Sequence, residues 1–506
     1  MSENPPYPKS EKKQKKQKVF KPKARLPRGF RDMAGAELHL QQNMLRIIAT
    51  VYERYGFEQL DTPAFEYADA LGKFLPDSDR PNAGVFALED DDSQWLSLRY
   101  DLTAPLARYV SENYDHLPKP LRRYQSGFVF RNEKPGPGRY RQFMQMDADT
   151  VGAGNQAADA EICMMAADCM QALGLQCGDY VVRINNRKIL DGILEITGLK
   201  PDEPDYENRR LIILRAMDKL DRLGIAGVRD LLGAGRKDDS GDFTKGAGLD
   251  TEAIEPILAF LEARQASREE TLTQLSELVA NSEIGRAGVV ELRAMDTFFT
   301  ALGYSADRIT IDPSVVRGLD YYTGPVFEIE LTFEAEDEDG DLAKFGSVGG
   351  GGRYDDLVKR FKGIEVPATG ISIGVSRLAA ALSLKGTLAA APTAPLIVAL
   401  IMDRETIAET AQLVQSLRNA GLRAEMYMGD SGMKPQLRYA DARGARLALI
   451  EGSDERERGV ITIKDLQLGS EKSAEISDNT EWRESQHSQF EVNKSELISK
   501  INEIIA

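Results

Sequence analysis

From Ala36 to Tyr55 the apolar residues Leu40, Met44, Ile47, Ile48, Val51 and Tyr55 recur at the three- and four-residue spacing of one helical face. Gly56 follows, the residue type that most readily turns left-handed to end a helix, so the pattern predicts a long amphipathic helix with a defined stop. From Val326 to Phe333 the period drops to two. Phe327, Ile329, Leu331 and Phe333 alternate with Glu328, Glu330 and Thr332, the pattern of a half-buried strand. Shorter runs predict strands at Phe57–Leu60, Trp95–Tyr100, Phe128–Arg131, Phe143–Val151, Val181–Ile184, from Ile309, and at Gly370–Ile373. Helices are predicted to open at Asp101–Pro105, at Tyr354 and at Val375, the last running to about Leu384. Pro63, just after a strand, suggests an edge or an interface.

Between about Lys188 and Gly303 the pattern is helical and strongly charged, broken by Gly/Asp-rich stretches such as Gly233–Gly248. Strand signals resume beyond it, so this is a helical insertion within an antiparallel α+β domain spanning residues 26–390. Residues 386–395, rich in Gly, Ala, Pro and Thr, form a linker. Beyond it Leu396–Ile401, Arg423–Tyr427, Leu447–Ile450 and Val460–Ile463 read as strands. They alternate with helices at Glu405–Asn419, Lys434–Ala442 and from Ser495, which implies a parallel α/β domain over residues 391–506.

The chain has 506 residues, enough for several cores, with 42% apolar and 28% charged residues, as in an ordinary soluble globular protein. No apolar run approaches a membrane span. Cys163, Cys169 and Cys177 are too few for a disulfide framework and lack zinc spacing, which fits a reducing cytoplasm. Net charge is −16, but nine Lys/Arg against two Glu give residues 1–25 a charge of +7, leaving −23 on the rest. That tail reads as disordered and basic, and any contact with nucleic acid by the acidic body must be confined to local basic loops.

Arg317-Gly318-Leu319-Asp320-Tyr321-Tyr322 precedes the alternating strand and offers a fixed cation, a close backbone approach and two phenols. Arg131 closes a strand before a long Pro/Gly/Arg loop, and Arg377 falls in the first turn of a helix. Three guanidiniums at such positions suggest a polyphosphate ligand, aided at Arg377 by the helix N-terminus. Gly349–Gly352 lacks the Lys-Ser/Thr of a phosphate-binding loop but can let backbone approach a ligand. Gly370-Ile371-Ser372-Ile373-Gly374 matches a nucleophile elbow, yet the only later histidine is His487 in a polar segment, which argues against a hydrolase triad. Gly152–Ala157 resembles a dinucleotide fingerprint but lacks the acid-ended second strand, so it reads as a helix N-terminus. His39 and His116 lie outside these groups, so histidine acid–base chemistry is not expected.

Taken together, these motifs resemble a known family. Phe130-Arg131-Asn132-Glu133 with Gly138-Arg139-Tyr140-Arg141-Gln142-Phe143 is similar to motif 2 of class II aminoacyl-tRNA synthetases, and Gly370–Leu378 to motif 3. The Ala36–Tyr55 helix with Pro63 resembles motif 1, the dimerisation element. Arg317–Tyr322 and Gly351-Gly352-Arg353-Tyr354-Asp355 resemble the two signatures peculiar to histidyl-tRNA synthetases, and Leu98–Thr103 the eukaryotic-type amino-acid loop. The resemblance runs from about Leu26 to Ala506.

It implies a six-stranded antiparallel catalytic sheet, an α/β anticodon-binding domain and a homodimer that charges tRNA(His) with L-histidine, using ATP and Mg²⁺. By motif match, Arg131 and Arg317 are the implied catalytic residues and, with Arg377, hold ATP. Arg317 also meets the histidine carboxylate; Asp101, Thr103 and Gln145 hold its ammonium; Asp149, Tyr321, Tyr322 and Tyr354 are placed in its pocket. Asp149 stands where many relatives have Glu, which implies a slightly different pocket geometry. Arg139 and Arg141 are the implied contacts to the tRNA acceptor stem; Lys134-Pro135-Gly136-Pro137-Gly138 beside them offers few donors for reading a base. The rival is a non-catalytic relative, the regulatory subunit of ATP phosphoribosyltransferase, which typically lacks the C-terminal domain and degrades the Arg317–Tyr322 signature.

Overall fold

The computed structural model describes residues 22–505 except 72–83, 137–138, 200–204, 238–240, 317–321, 337–341, 357, 388–393 and 469–487. Most of the basic tail, Pro137 and Gly138 of the arginine-bearing loop, and Arg317 to Tyr321 therefore lie outside the described residues. The chain divides into two compact units, Met1–Ala389 and Ala390–Ala506.

The predicted first helix forms as α1, Gly35–Arg54, and buries Leu40, Met44, Ile48, Val51 and Tyr52. Gly56 ends it at φ +81°, a conformation that other residues adopt only under strain. The central sheet of the first unit has eight strands: β1 (Glu58–Gln59), β2 (Leu121–Phe130), β3 (Gln142–Val151), β4 (Tyr180–Asn186), β5 (Ile309–Ile311), β6 (Pro325–Glu336), β7 (Leu342–Arg353) and β8 (Ala368–Ile373). Their spatial order is β1-β2-β3-β8-β7-β6-β4-β5. The inner six pair antiparallel, the arrangement that the resemblance implied. The two short edge strands, β1 on β2 and β5 on β4, add parallel pairings that extend it.

One expectation changes beside β7. Gly349–Gly352, given no element from the sequence, forms no phosphate-binding loop and is strand, inserted between β6 and β8. A Cβ on Gly351 would lie 2.0 Å from the Gly370 carbonyl oxygen, and one on Gly349 2.9 Å from Ile329 Cδ1. The glycines are there because neighbouring strands crowd the positions their side chains would take. No helix starts at Tyr354 either, because its N–H donates to the Ala368 carbonyl (2.7 Å) and continues the sheet. Only the four-residue helix Lys359–Lys362 follows. β2 also begins seven residues before the expected strand at Phe128, because buried Arg123 and Gln125 interrupt its apolar pattern.

Helices α2 (Thr103–Asn113), α3 (Gln156–Ala172) and α6 (Val375–Lys385) pack against the sheet. Asn155 caps α3 by accepting from Ala158 N–H (3.3 Å), so the Gly152–Ala157 stretch is the helix start it was read as. Among the described residues the insertion is helical from α4 (Arg187–Ile196) to α5 (Glu283–Ala301), interrupted by one small ribbon, Gly235–Lys237 with Phe243–Lys245. Phe65–Tyr67, Ala87–Glu89 and Trp95–Leu98 make a separate three-stranded sheet.

The second unit carries β9 (Leu396–Ala399), β10 (Ala424–Met426), β11 (Ala445–Ile450), β12 (Val460–Asp465) and β13 (Gln489–Asn493), in the order β10-β9-β11-β12-β13. Its first three strands are parallel as expected. β12 and β13 run antiparallel, a correction to the all-parallel reading. Residues 451–459 are too few for the crossover that a parallel β11–β12 pair needs. Ile397, Val414, Leu417, Leu447, Leu449, Ile461, Ile463 and Ile501 form its core.

Candidate active site

One face of the central sheet carries polar side chains where a core face would carry apolar ones. On β3 the alternation puts Met146 and Ala148 into the helix-covered face and Gln145, Asp147 and Asp149 onto the other. The register brings Arg123 opposite Asp149 and Gln125 opposite Asp147 on one side, and Gly370 and Ser372 opposite the same two on the other. Gly352 of β7 lies opposite Gly370 in turn. A Cβ on Gly370 would sit 2.0 Å from Asp149 Oδ1, and one on Gly352 2.8 Å from Cδ1 of Tyr322. The glycines therefore make a floor without side chains, walled by carboxylates and phenols.

The carboxylates are arranged differently from one another. Asp149 is 3% exposed, accepts from the Tyr354 hydroxyl, and has Oδ2 2.9 Å from Arg123 Nη2. Burial raises its pKa, and Arg123 and Tyr354 work against that rise. Asp101 precedes α2 and accepts from Thr103 N–H (3.2 Å) and Ala104 N–H (2.9 Å), so it caps the helix that it introduces. Its pKa is also raised, first by burial, with the Ala104 N–H and the Arg131 charge opposing. Asp147 is pushed up to about 7, first by burial and next by the charge of Asp149. Gln145 donates from Nε2 to the Ser372 hydroxyl (2.6 Å), while its Oε1 is buried without a hydrogen-bond partner.

Arg131 leaves the end of β2 with its guanidinium between two rings, 4.5 Å from the centroid of Tyr100 and 5.1 Å from that of Phe143. That stacking fixes a planar cation beside Asp101. Tyr354 and Tyr322 pack against the apolar group of Leu106, Val110 and Val151. Beneath them Arg353 is bound through Nε (3.1 Å) and Nη2 (2.6 Å) to fully buried Asp159 of α3, and through Nη1 to the Ala153 carbonyl (3.1 Å). The turn carrying Tyr354 is thereby locked to the start of α3.

The structure thus gathers Asp101, Thr103, Arg131, Gln145, Asp149, Tyr322 and Tyr354, drawn from five segments of the sequence. Arg377 is the third residue of α6, is exposed, and donates from Nη2 to the Phe345 carbonyl (2.5 Å). Arg139 and Arg141 lie on the loop between β2 and β3. Arg139 is exposed in a backbone turn with Gly136, and Arg141 donates from Nε to the Glu133 carbonyl (2.9 Å). Arg317 and Tyr321 lie outside the described residues. Ser372 sits inside β8 rather than on a strand-to-helix elbow. Sequence reasoning missed Arg123, Asp147 and Ser372; the polar alternation Gln145–Asp147–Asp149 within a predicted strand was the available signal for Asp147.

A family model described as histidyl-tRNA synthetase matches residues 29–378, and one described as an anticodon binding domain matches residues 396–504. The chain is 57% identical over 490 residues to a protein of Bartonella bacilliformis named histidine–tRNA ligase, covering 96% of this chain and 98% of that one. It is 57% identical over 496 residues to a protein of Rhizobium meliloti with the same name, covering 97% and 98%. The crystal structure of histidyl-tRNA synthetase from Nostoc sp. PCC 7120 superimposes with a TM-score of 0.71 at 30% identity, over 96% of this chain and all of that one. With its first match spanning the glycine-floored site and more than half of its length, the chain belongs to the histidyl-tRNA synthetase family.

Proposed function

We infer that the glycine-floored face is where L-histidine and ATP react, and that the family's reaction, histidine–tRNA ligation, is the reaction of this chain. The observation that carries this reading is the convergence of the motif residues Asp101, Arg131, Gln145, Asp149 and Tyr354 on one buried face, in a chain 57% identical to curated histidine–tRNA ligases. The histidine carboxylate attacks the α-phosphorus of ATP, pyrophosphate leaves, and the tRNA 3′-terminal hydroxyl then displaces AMP from the histidyl-adenylate. Charge accumulates on the α-phosphate during attack. The stacked Arg131 guanidinium offsets it without reorganising, and Arg317 is the second cation of that step.

Asp149, with Tyr354 bonded to it, faces the imidazole. Arg123 and the Tyr354 hydroxyl hold its two oxygens and so fix the carboxylate that recognises the ring. Asp101 and Gln145 face the α-ammonium, with Thr103 holding Asp101 in place through its backbone N–H. Tyr322 completes the pocket wall, and Tyr321 is a further histidine-binding residue by motif match. Arg377 reaches the distal end of ATP, and Arg139 and Arg141 the tRNA acceptor stem. Among the described residues no group of three or more His, Cys, Asp or Glu could cage a metal. Mg²⁺ enters on the phosphates of ATP, which offer it oxygen ligands.

The second unit is the anticodon reader. The partner in a homodimer is a second copy docking at the groove of about 500 Å³ beside Pro63, where Phe65 and Tyr67 are 45% and 56% exposed. Among the described residues no helix is long and apolar enough to cross a membrane.

The test is ATP–pyrophosphate exchange without tRNA across all twenty amino acids. Exchange with histidine alone is expected; exchange with another amino acid, or with none, would sink the assignment.

A further inference from the structure

Asp147 is the one carboxyl of the site that the motif comparison left without a role, and its surroundings are those of a ligand group. It is 2% exposed and stands between Gln145 and Asp149 on the same face of β3. Its Oδ1 is buried without a hydrogen-bond partner, as is the Oε1 of Gln145 two residues away. The Ser372 hydroxyl bridges these two residues, accepting from Gln145 Nε2 and donating to Asp147. Two acceptors side by side, each lacking a donor, make a seat for a group that brings only donors, and an ammonium is that group.

The charges around Asp147 are unequal. Asp149 lies on its own strand and Asp101 ahead of α2, both carboxylates. Arg123 of β2 faces it but is committed to Asp149 Oδ2 (2.9 Å) and the Leu102 carbonyl (3.1 Å). Gln125 of β2 is neutral and bound to Asp61 and Thr62. Arg99 is spent on the Phe128 and Thr62 carbonyls, and Tyr52 of α1 is a buried neutral phenol. Two of the three carboxyls have structural donors and the third lacks a cation of its own. Burial and the Asp149 charge accordingly hold Asp147 up to about 7.

We propose that Asp147, together with the Gln145 carbonyl, receives the α-ammonium of the amino acid. This rests on the histidine-activating reading and adds a specificity residue to it. On docking, the Asp147 O–H bond breaks, its proton passes to buffer, and the carboxylate left behind pairs with the ammonium. Binding of histidine therefore releases a proton from Asp147 in addition to whatever its own groups exchange.

The experiment is calorimetric titration of the full-length protein in two buffers of different ionisation heat at pH 7, with L-histidine and with 3-(imidazol-4-yl)propanoate, which keeps the imidazole and carboxylate. With histidine the wild type is expected to release roughly half a proton more than Asp147→Asn does, a difference from which the ligand's own ionisations cancel. Asp147→Asn should bind histidine at least about tenfold more weakly, and bind the analogue within about twofold of wild type. Equal loss of both ligands in Asp147→Asn, or no loss of either, overturns the proposal. Should Asp147→Asn fail to fold, Asp147→Ser takes its place and the same two comparisons with wild type decide. A wild type that does not bind histidine at all would instead sink the functional reading.

Discussion

The Tyr354 hydroxyl donates to Asp149 Oδ1, joining the residue that follows the glycine strand β7 to a carboxylate two strands away on β3. Tyr354→Phe keeps the ring in its apolar seat and removes only the donor. A buried carboxylate oxygen then loses its partner, a change of about 1–3 kcal/mol. The expected outcome is a rise in KM for histidine of about tenfold or more in pyrophosphate exchange, with KM for ATP little altered. A matching rise for ATP would show that the phenol supports the whole site rather than the amino-acid pocket.

Gly370 has no room for a methyl group, since its Cβ would stand 2.0 Å from Asp149 Oδ1 and 2.8 Å from the Ala148 carbonyl oxygen. Neither neighbour is the free end of a flexible chain, because Asp149 is held by Arg123 and Tyr354. Gly370→Ala should lower histidine-dependent exchange by about a hundredfold, the range for losing one placed catalytic interaction. Exchange within a few-fold of wild type would contradict the tight floor.

Arg131 lies against two rings, and a lysine cannot reproduce a planar cation in contact with both. Arg131→Lys is expected to retain histidine binding while the exchange rate falls by about a hundredfold. Calorimetric histidine affinity and exchange measured on one preparation separate the two effects; unchanged exchange would remove the stacking geometry from the mechanism.

These positions differ in how far the sequence announces them. The α1 helix and the β6 strand follow from periodicity, because each buries one face more deeply than the other. The glycines of β7 announced no element, since glycine normally marks a loop and only the closeness of β6 and β8 explains them in a strand. Arg123 was invisible for a related reason. A fully buried arginine breaks the apolar pattern of β2, and its partner Asp149 comes from a different strand. The antiparallel return of β12 was likewise hidden, because strand spacing alone does not give direction. Motifs located the site; the pairings inside it required the fold.

Asp147 also makes a prediction about stability. Its pKa in the folded protein, about 7, lies above the ordinary carboxyl value of 3.8. Between those two values the native state holds a proton that the unfolded chain has lost, so stability declines as pH rises through that window. Asp147→Asn cannot ionise and escapes this decline. The melting temperature of the variant relative to wild type should therefore climb between pH 5 and pH 8, followed by circular dichroism; a constant difference would show that Asp147 does not titrate there.

Because the two units are compact separately, a chain ending at Ala389 should still catalyse histidine-dependent exchange. It should charge tRNA(His) poorly for want of its anticodon reader. Full charging by the truncated chain would contradict the role given to the second unit.

The strand order places β8 at the middle of the sheet, between β3 and β7, although it is the last strand of its unit to leave the ribosome. Until Ile373 is synthesised, β3 and β7 each have an open edge of unpaired N–H and C=O groups facing the gap. Interrupted translation, or proteolysis ahead of Ala368, therefore yields more than an inactive fragment. It yields a molecule with two templates for intermolecular strand addition, and the final strand serves the nascent chain as protection against aggregation before it serves as the floor of a pocket.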